Sequence, residues 1–122
     1  MEKSKKTLVL GATTNTERTA YTAIHKLVNH GHEVVAVGLK EGEVAGIPIQ
    51  TGQPLIKDLD TVTLYVGPKN QPLFYDYLLQ LKPKRVIFNP GAENPELESK
   101  LRENGIEPVE ACTLVLLSIG KY

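Results

Sequence analysis

Cysteine is nearly missing from this 122-residue chain, and the single Cys112 cannot close an intramolecular disulfide. A disulfide scaffold is excluded, and a reducing compartment, the cytoplasm, is the expected location. An excess of charge is missing too: fourteen basic residues balance fourteen acidic ones, and no basic run exceeds Lys5-Lys6. The electrostatic footprint of a nucleic-acid binder is therefore absent, and nucleic acid is not an expected partner. Long apolar runs are lacking, since the charged start MEKSKK leads into a five-residue apolar stretch, far too short for a signal-peptide core or a membrane span. A membrane is not expected either. Serine is scarce, and Ser4, Ser99 and Ser118 stand in no nucleophile elbow, so a hydrolase triad finds no support. His30 and His32 flank Gly31 without a cysteine or carboxylate at ligand spacing, which argues against a metal site. The absence of a G-K-[ST] triplet excludes a nucleoside-triphosphate loop.

What remains is the pattern of one α/β domain spanning residues 1–122, long enough to bury roughly two-thirds of its unfolded surface without staples. Apolar runs of strand length alternate with amphipathic stretches of helix length. Strands are expected at 7–10, 33–37, 61–66, 85–88 and 107–109. In the third, Val62, Leu64 and Val66 alternate with Thr61, Thr63 and Tyr65. A first helix from Arg18 to Asn29 carries Ala20, Ile24, Leu27 and Val28 on one face, and Gly31 closes it. A second begins at Asn70-Gln71-Pro72 and buries Leu73, Phe74, Tyr77, Leu78 and Leu81 up to Pro83. Asn94-Pro95-Glu96 supplies a cap, an N1 proline and an acid for a third, which ends at Gly105. Between the second and third strands, Gly42, Gly46, Pro48, Gly52 and Pro54 predict loop with at most a helical turn at 55–59. Residues 113–119 fit strand and short helix equally. The expected fold is Rossmann-like and doubly wound: a mainly parallel, five-stranded sheet with helices on both faces.

Ligands of such sheets bind beyond the carboxyl ends of the strands, which directs attention to the loops at 11–17, 38–46, 67–70 and 89–94. The first, GATTNTER, turns sharply at Gly11 and offers backbone N–H groups and threonine hydroxyls ahead of a helix N-terminus, a setting suited to phosphate. A capping role for Thr14 or Thr16 is the plainer alternative. Thr13 and Thr16 stand where a G-x-G-x-x-G fingerprint would have glycines, and Lys40 rather than an acid follows the second strand. A lysine there favours a phosphorylated ribose, as in coenzyme A or NADP, over NAD. Arg18, read as a first-turn residue of the helix, opposes the helix dipole and calls for an anion nearby.

The stretches GATTNTERTAY, VVAVGLKEGEVAGIPI, YVGPKN, NPGAENPELESKLRENGI and EACTLV resemble the small bacterial CoA-binding proteins. These are related to the CoA-binding domain of the succinyl-CoA synthetase alpha subunit. Gly11, Ala12, Arg18 and Tyr21 match the first-loop pattern, with Thr13 in place of its serine, and Val37-Gly38-Leu39-Lys40 keeps the valine and lysine of the second loop. Gly67-Pro68 is similar to a loop lying beside the pantetheine arm, and Asn89-Pro90-Gly91 to the loop after the fourth strand. The resemblance implies a coenzyme A site formed by Gly11, Ala12, Thr13, Thr14, Asn15, Arg18, Tyr21, Gly38, Lys40, Val66, Pro68, Asn89, Pro90 and Gly91. Cys112 falls where these proteins often carry a cysteine, and reads here as a small packed residue.

Two classes of function follow. One is a non-catalytic domain that binds coenzyme A or an acyl-CoA, as a metabolic sensor or as an accessory to a larger enzyme. The other is an enzyme, either an NADP-dependent oxidoreductase or the nucleotide-binding component of a CoA ligase. No acid–base pair is recognisable near the loops, which favours the binder. A homodimer and a larger enzyme partner are both compatible with the sequence.

Overall fold

The computed structural model describes residues 4–122. The first strand, β1 (Thr7–Ala12), is followed by α1 (Thr19–Asn29) and β2 (Val34–Gly38), a strand–helix–strand unit in which β1 and β2 pair in parallel. The expected loop then departs from prediction, because β3 (Gly42–Val44) and β4 (Ile47–Gln50) form an antiparallel hairpin whose second strand pairs in parallel with β2. Ala45 and Gly46, both at positive φ, make the two-residue turn. No helical turn forms at 55–59.

After β5 (Thr61–Leu64), which is two residues shorter than expected, a 3₁₀ helix at Pro68–Phe74 leads into α2 (Tyr75–Leu81). Pro72 lies inside that 3₁₀ segment, and α2 begins only beyond it. Leu73 consequently faces solvent at 75% exposure instead of joining the buried stripe. Then come β6 (Arg85–Phe88), α3 (Pro95–Glu103), β7 (Glu107–Glu110) and α4 (Thr113–Ser118), so residues 113–118 are helical.

The sheet has seven strands rather than five, in the order β3-β4-β2-β1-β5-β6-β7, and every pairing except the hairpin is parallel. The two additional strands are the hairpin. Both faces of the sheet are covered. Leu8, Leu10, Val62, Leu64, Val86 and Phe88 pack under Tyr77, Leu78 and Leu81 of α2 and Leu97 and Leu101 of α3. Val9, Ala36 and Ile49 pack under Ala20, Ile24 and Leu27 of α1 and Leu117 of α4. Burial on both sides explains why Thr61 and Thr63 are as inaccessible as Val62 and Leu64, so the alternation in β5 separates two buried faces and not a wet one from a dry one. Among the described residues, no helix is long and apolar enough to cross a membrane.

Candidate functional site at the carboxyl edge of the sheet

Because β1, β2, β5 and β6 are parallel, the loops that leave them all emerge at one edge. Gly11 is the extra residue in a bulge between Leu10, which pairs with Val37, and Ala12, which pairs with Gly38. Its φ of +97° suits glycine, and an added Cβ would stand 3.1–3.3 Å from Tyr65. At the end of β2 the contact is closer: a Cβ on Gly38 would lie 2.1 Å from the Ala12 carbonyl oxygen. One on Gly42 would lie 2.6 Å from Thr14 Cγ2. The three glycines draw the exits of β1, β2 and β5 together and bring the Lys40 turn against the first loop.

Within the first loop, the Asn15 amide donates to Thr13 Oγ1 (3.1 Å), the Glu17 amide to Asn15 Oδ1 (3.0 Å) and the Arg18 amide to the Asn15 carbonyl (3.0 Å). Among the described residues, the amides of Thr13, Thr14 and Thr16 have no such acceptor. Arg18 lies one position earlier than expected, at the N-cap of α1 with extended backbone, and no side chain caps that helix. Neither Thr14 nor Thr16 takes the capping role, so the N-terminus of α1 keeps the unpaired donors and partial positive charge that attract phosphate. Thr14, Asn15, Arg18 and Lys40 are exposed, Thr13 and Gly38 are half-buried, and Ala12 is buried. Tyr21 is half-buried one turn into α1, packed on the core with its ring 4.8 Å from that of His25.

The loops beyond β5 and β6 are built differently. Val66 is half-buried against the core, Pro68 opens the 3₁₀ helix at the surface, and Pro90 and Gly91 are exposed. Asn89 is buried and its side chain points inward. Its Nδ2 donates to Thr63 Oγ1 (2.7 Å) and the Leu64 carbonyl (3.0 Å), and its Oδ1 accepts from the Thr113 amide (2.9 Å). Asn89 thus fastens β5, β6 and α4 together. Gln71, which the pattern presents only as part of a helix start, is fully buried and bonds to the carbonyls of Val66 and Ala92. No periodicity marks such a residue; the only signal is an amide side chain in a short loop between Pro68 and Pro72.

Two titratable features of this edge also escape the sequence pattern. Tyr65 has a buried hydroxyl without a hydrogen-bond partner, the neighbouring Thr63 and Thr113 hydroxyls being committed to each other at 2.7 Å. Burial pushes its pKa up to about 12, although those two hydroxyls act to lower it. Glu98, in the first turns of α3, is buried beside Glu110 at the end of β7. Burial, and then the hydrogen bond to the Glu110 carboxyl, raises the Glu98 pKa, while the Asn94 amide and Arg102 oppose the rise. Cys112 is half-buried at the N-cap of α4. Among the described residues, no group of three or more histidine, cysteine or acidic side chains is placed to hold a metal ion.

Residues 5–118 match the protein family described as CoA binding domain. A solved structure described as an uncharacterized protein is 59% identical and superposes with a TM-score of 0.96, covering 99% of this chain and 100% of that one. A hypothetical protein from Pyrococcus horikoshii OT3 is 27% identical, with a TM-score of 0.82 over 92% of this chain and 80% of its own. A Thermus thermophilus protein at 24% identity and a TM-score of 0.85, over 98% of this chain and 91% of that one, shares the fold. No curated protein matches the chain.

Proposed function

This chain belongs to the CoA-binding domain family, and from that premise we propose that its carboxyl-edge loops bind coenzyme A as a ligand, without chemical turnover, within a single domain. The observation that carries this reading is the uncapped N-terminus of α1 beneath three unpaired loop amides, with the Lys40 turn packed against it. The pyrophosphate of the ligand would take the unpaired amides of Thr13, Thr14 and Thr16 and the Arg18 guanidinium. The phosphorylated ribose would take Lys40. The glycines at 11, 38 and 42 let the loops themselves pack closely, since side chains there would occupy space now filled by Tyr65, Ala12 and Thr14. Asn89 and Gln71 have their polar atoms committed to the protein, which favours a binding role over catalysis at this edge. A sensor of cellular coenzyme A or acyl-CoA, or an accessory to a larger cytoplasmic enzyme, is the biological role that suits a bound ligand left unchanged.

Thermal unfolding with coenzyme A, dephospho-coenzyme A, NADP, NAD and sulfate tests this. Coenzyme A at a hundred times its dissociation constant should stabilise the fold by about 2.7 kcal/mol, a rise in Tm of roughly 8–16 °C for this size. NADP binding more tightly than coenzyme A would overturn the assignment and favour an oxidoreductase.

A further inference from the structure

Coenzyme A is elongated. A nucleotide end held by the loops after β1 and β2 leaves the thiol-bearing arm to run along the carboxyl edge. On the side of β4, the turn carrying Lys40 folds back against Thr14. On the side of β5 the edge is continuous, because Gly11 abuts Tyr65 and the Tyr65 amide donates to the Leu10 carbonyl (2.9 Å). From β2 to β6 is three strand spacings, about 14–15 Å, so an arm extended in that direction meets the loops leaving β5 and β6.

Strand pairing between β5 and β6 ends at Leu64 and Phe88. Beyond it, one side chain ties the two loops together. Gln71 Nε2 donates one proton to the Val66 carbonyl (2.8 Å), in the loop leaving β5, and the other to the Ala92 carbonyl (2.7 Å), in the loop leaving β6. Its Oε1 accepts from Asn94 Nδ2 (2.9 Å), and that same Nδ2 reaches the Tyr75 hydroxyl (2.9 Å). Asn94 also caps α3 by accepting from the Leu97 amide (3.2 Å). Every polar atom of the buried amide is thus satisfied, which makes the bridge rigid.

We propose that Gln71 is a positioning residue of the ligand site: by holding the Val66 and Ala92 carbonyls on one nitrogen, it sets the width of the gap crossed by the thiol-bearing arm, without touching the ligand. This rests on the coenzyme A reading above. The test is titration calorimetry of wild type and Gln71→Met against coenzyme A and against adenosine 3′,5′-bisphosphate, which is its nucleotide end without the arm. Loss of the bridge should weaken coenzyme A about tenfold while the bisphosphate changes less than about twofold, the scale of one or two hydrogen bonds' influence on a dissociation constant. Equal losses for both ligands, or none for either, would overturn the proposal, because a purely structural residue does not distinguish the two. Should Gln71→Met fail to unfold cooperatively, Asn94→Ser keeps an N-cap for α3 but removes the donor to Gln71 Oε1, and the same comparison decides. A wild type that binds coenzyme A no more tightly than the bisphosphate also refutes the proposal but leaves the ligand reading standing. A wild type that binds neither refutes that reading itself.

Discussion

Arg18 and Lys40 are the two cations that the first loop and the β2–β3 turn bring to the same edge, and both side chains are exposed. Their removal should leave the fold unaffected. Charge-assisted contacts to phosphate are worth on the order of 1.5–3 kcal/mol, so Arg18→Ala and Lys40→Ala should each weaken coenzyme A roughly tenfold or more in titration calorimetry. The division of labour adds a sharper expectation. Lys40→Ala should penalise coenzyme A more than dephospho-coenzyme A, since only the former carries the extra ribose phosphate, whereas Arg18→Ala should weaken both about equally. Equal losses across all four titrations would reject separate phosphate sites. Much at this scale was legible in the sequence: a glycine leaving a strand before a polar loop marks a turn whatever the surrounding fold, and Gly11 occupies that position with φ of +97°. Side-chain direction was not legible. Asn89 lies in a loop at the carboxyl edge of the sheet yet turns inward to Thr63 and Thr113, contacts that depend on β5 and α4, far away in the chain.

The β3–β4 hairpin is the element that local pattern concealed. Its turn has the backbone of a two-residue loop with positive φ at both positions, but Ala45 occupies the first, where asparagine or aspartate would have announced it, and Pro48 interrupts the following strand. An L-residue other than glycine or asparagine is strained at φ of 53°. Ala45→Asn should therefore stabilise the protein by on the order of 0.5–1 kcal/mol, read as a higher urea midpoint with an unchanged slope. The helices were better foretold because their stop signals are chemical: Asn94 and Pro95 open α3 as expected, with the Asn94 side chain accepting from the Leu97 amide. The exception is 70–74, where asparagine followed by proline suggested a helix start but Pro72 sits within a 3₁₀ helix, which turns Leu73 outward.

For the molecule as a whole, doubly covered parallel strands were legible from continuous apolar runs, and the sheet order with β1 beside both β2 and β5 follows the expected crossover logic. Long-range pairing of carboxyls was not, since Glu98 and Glu110 meet only after α3 and β7 have packed. That pairing gives stability a pH dependence. The folded-state pKa of Glu98 is raised by burial first and by Glu110 second, so the neutral carboxyl stabilises the fold at pH below the ordinary carboxylate value, and this contribution is lost as pH rises through the raised value. Glu98→Gln should gain on the wild type as the pH rises from below the ordinary carboxylate value through the raised one, measured by urea midpoints. A constant difference across that interval would show that Glu98 ionises normally. The sheet's outer margin at β7 has a separate consequence, for assembly. Glu107 and Ala111 direct their amides inward to the carbonyls of Lys84 and Phe88, which leaves positions 108 and 110 facing outward. Position 108 is proline, which has no N–H, so of those two positions only Glu110 offers an approaching strand a donor. The opposite margin, β3, is three residues long. Both ends of the sheet therefore offer an approaching strand few hydrogen-bond donors, which works against edge-to-edge growth of copies into a continuous ribbon.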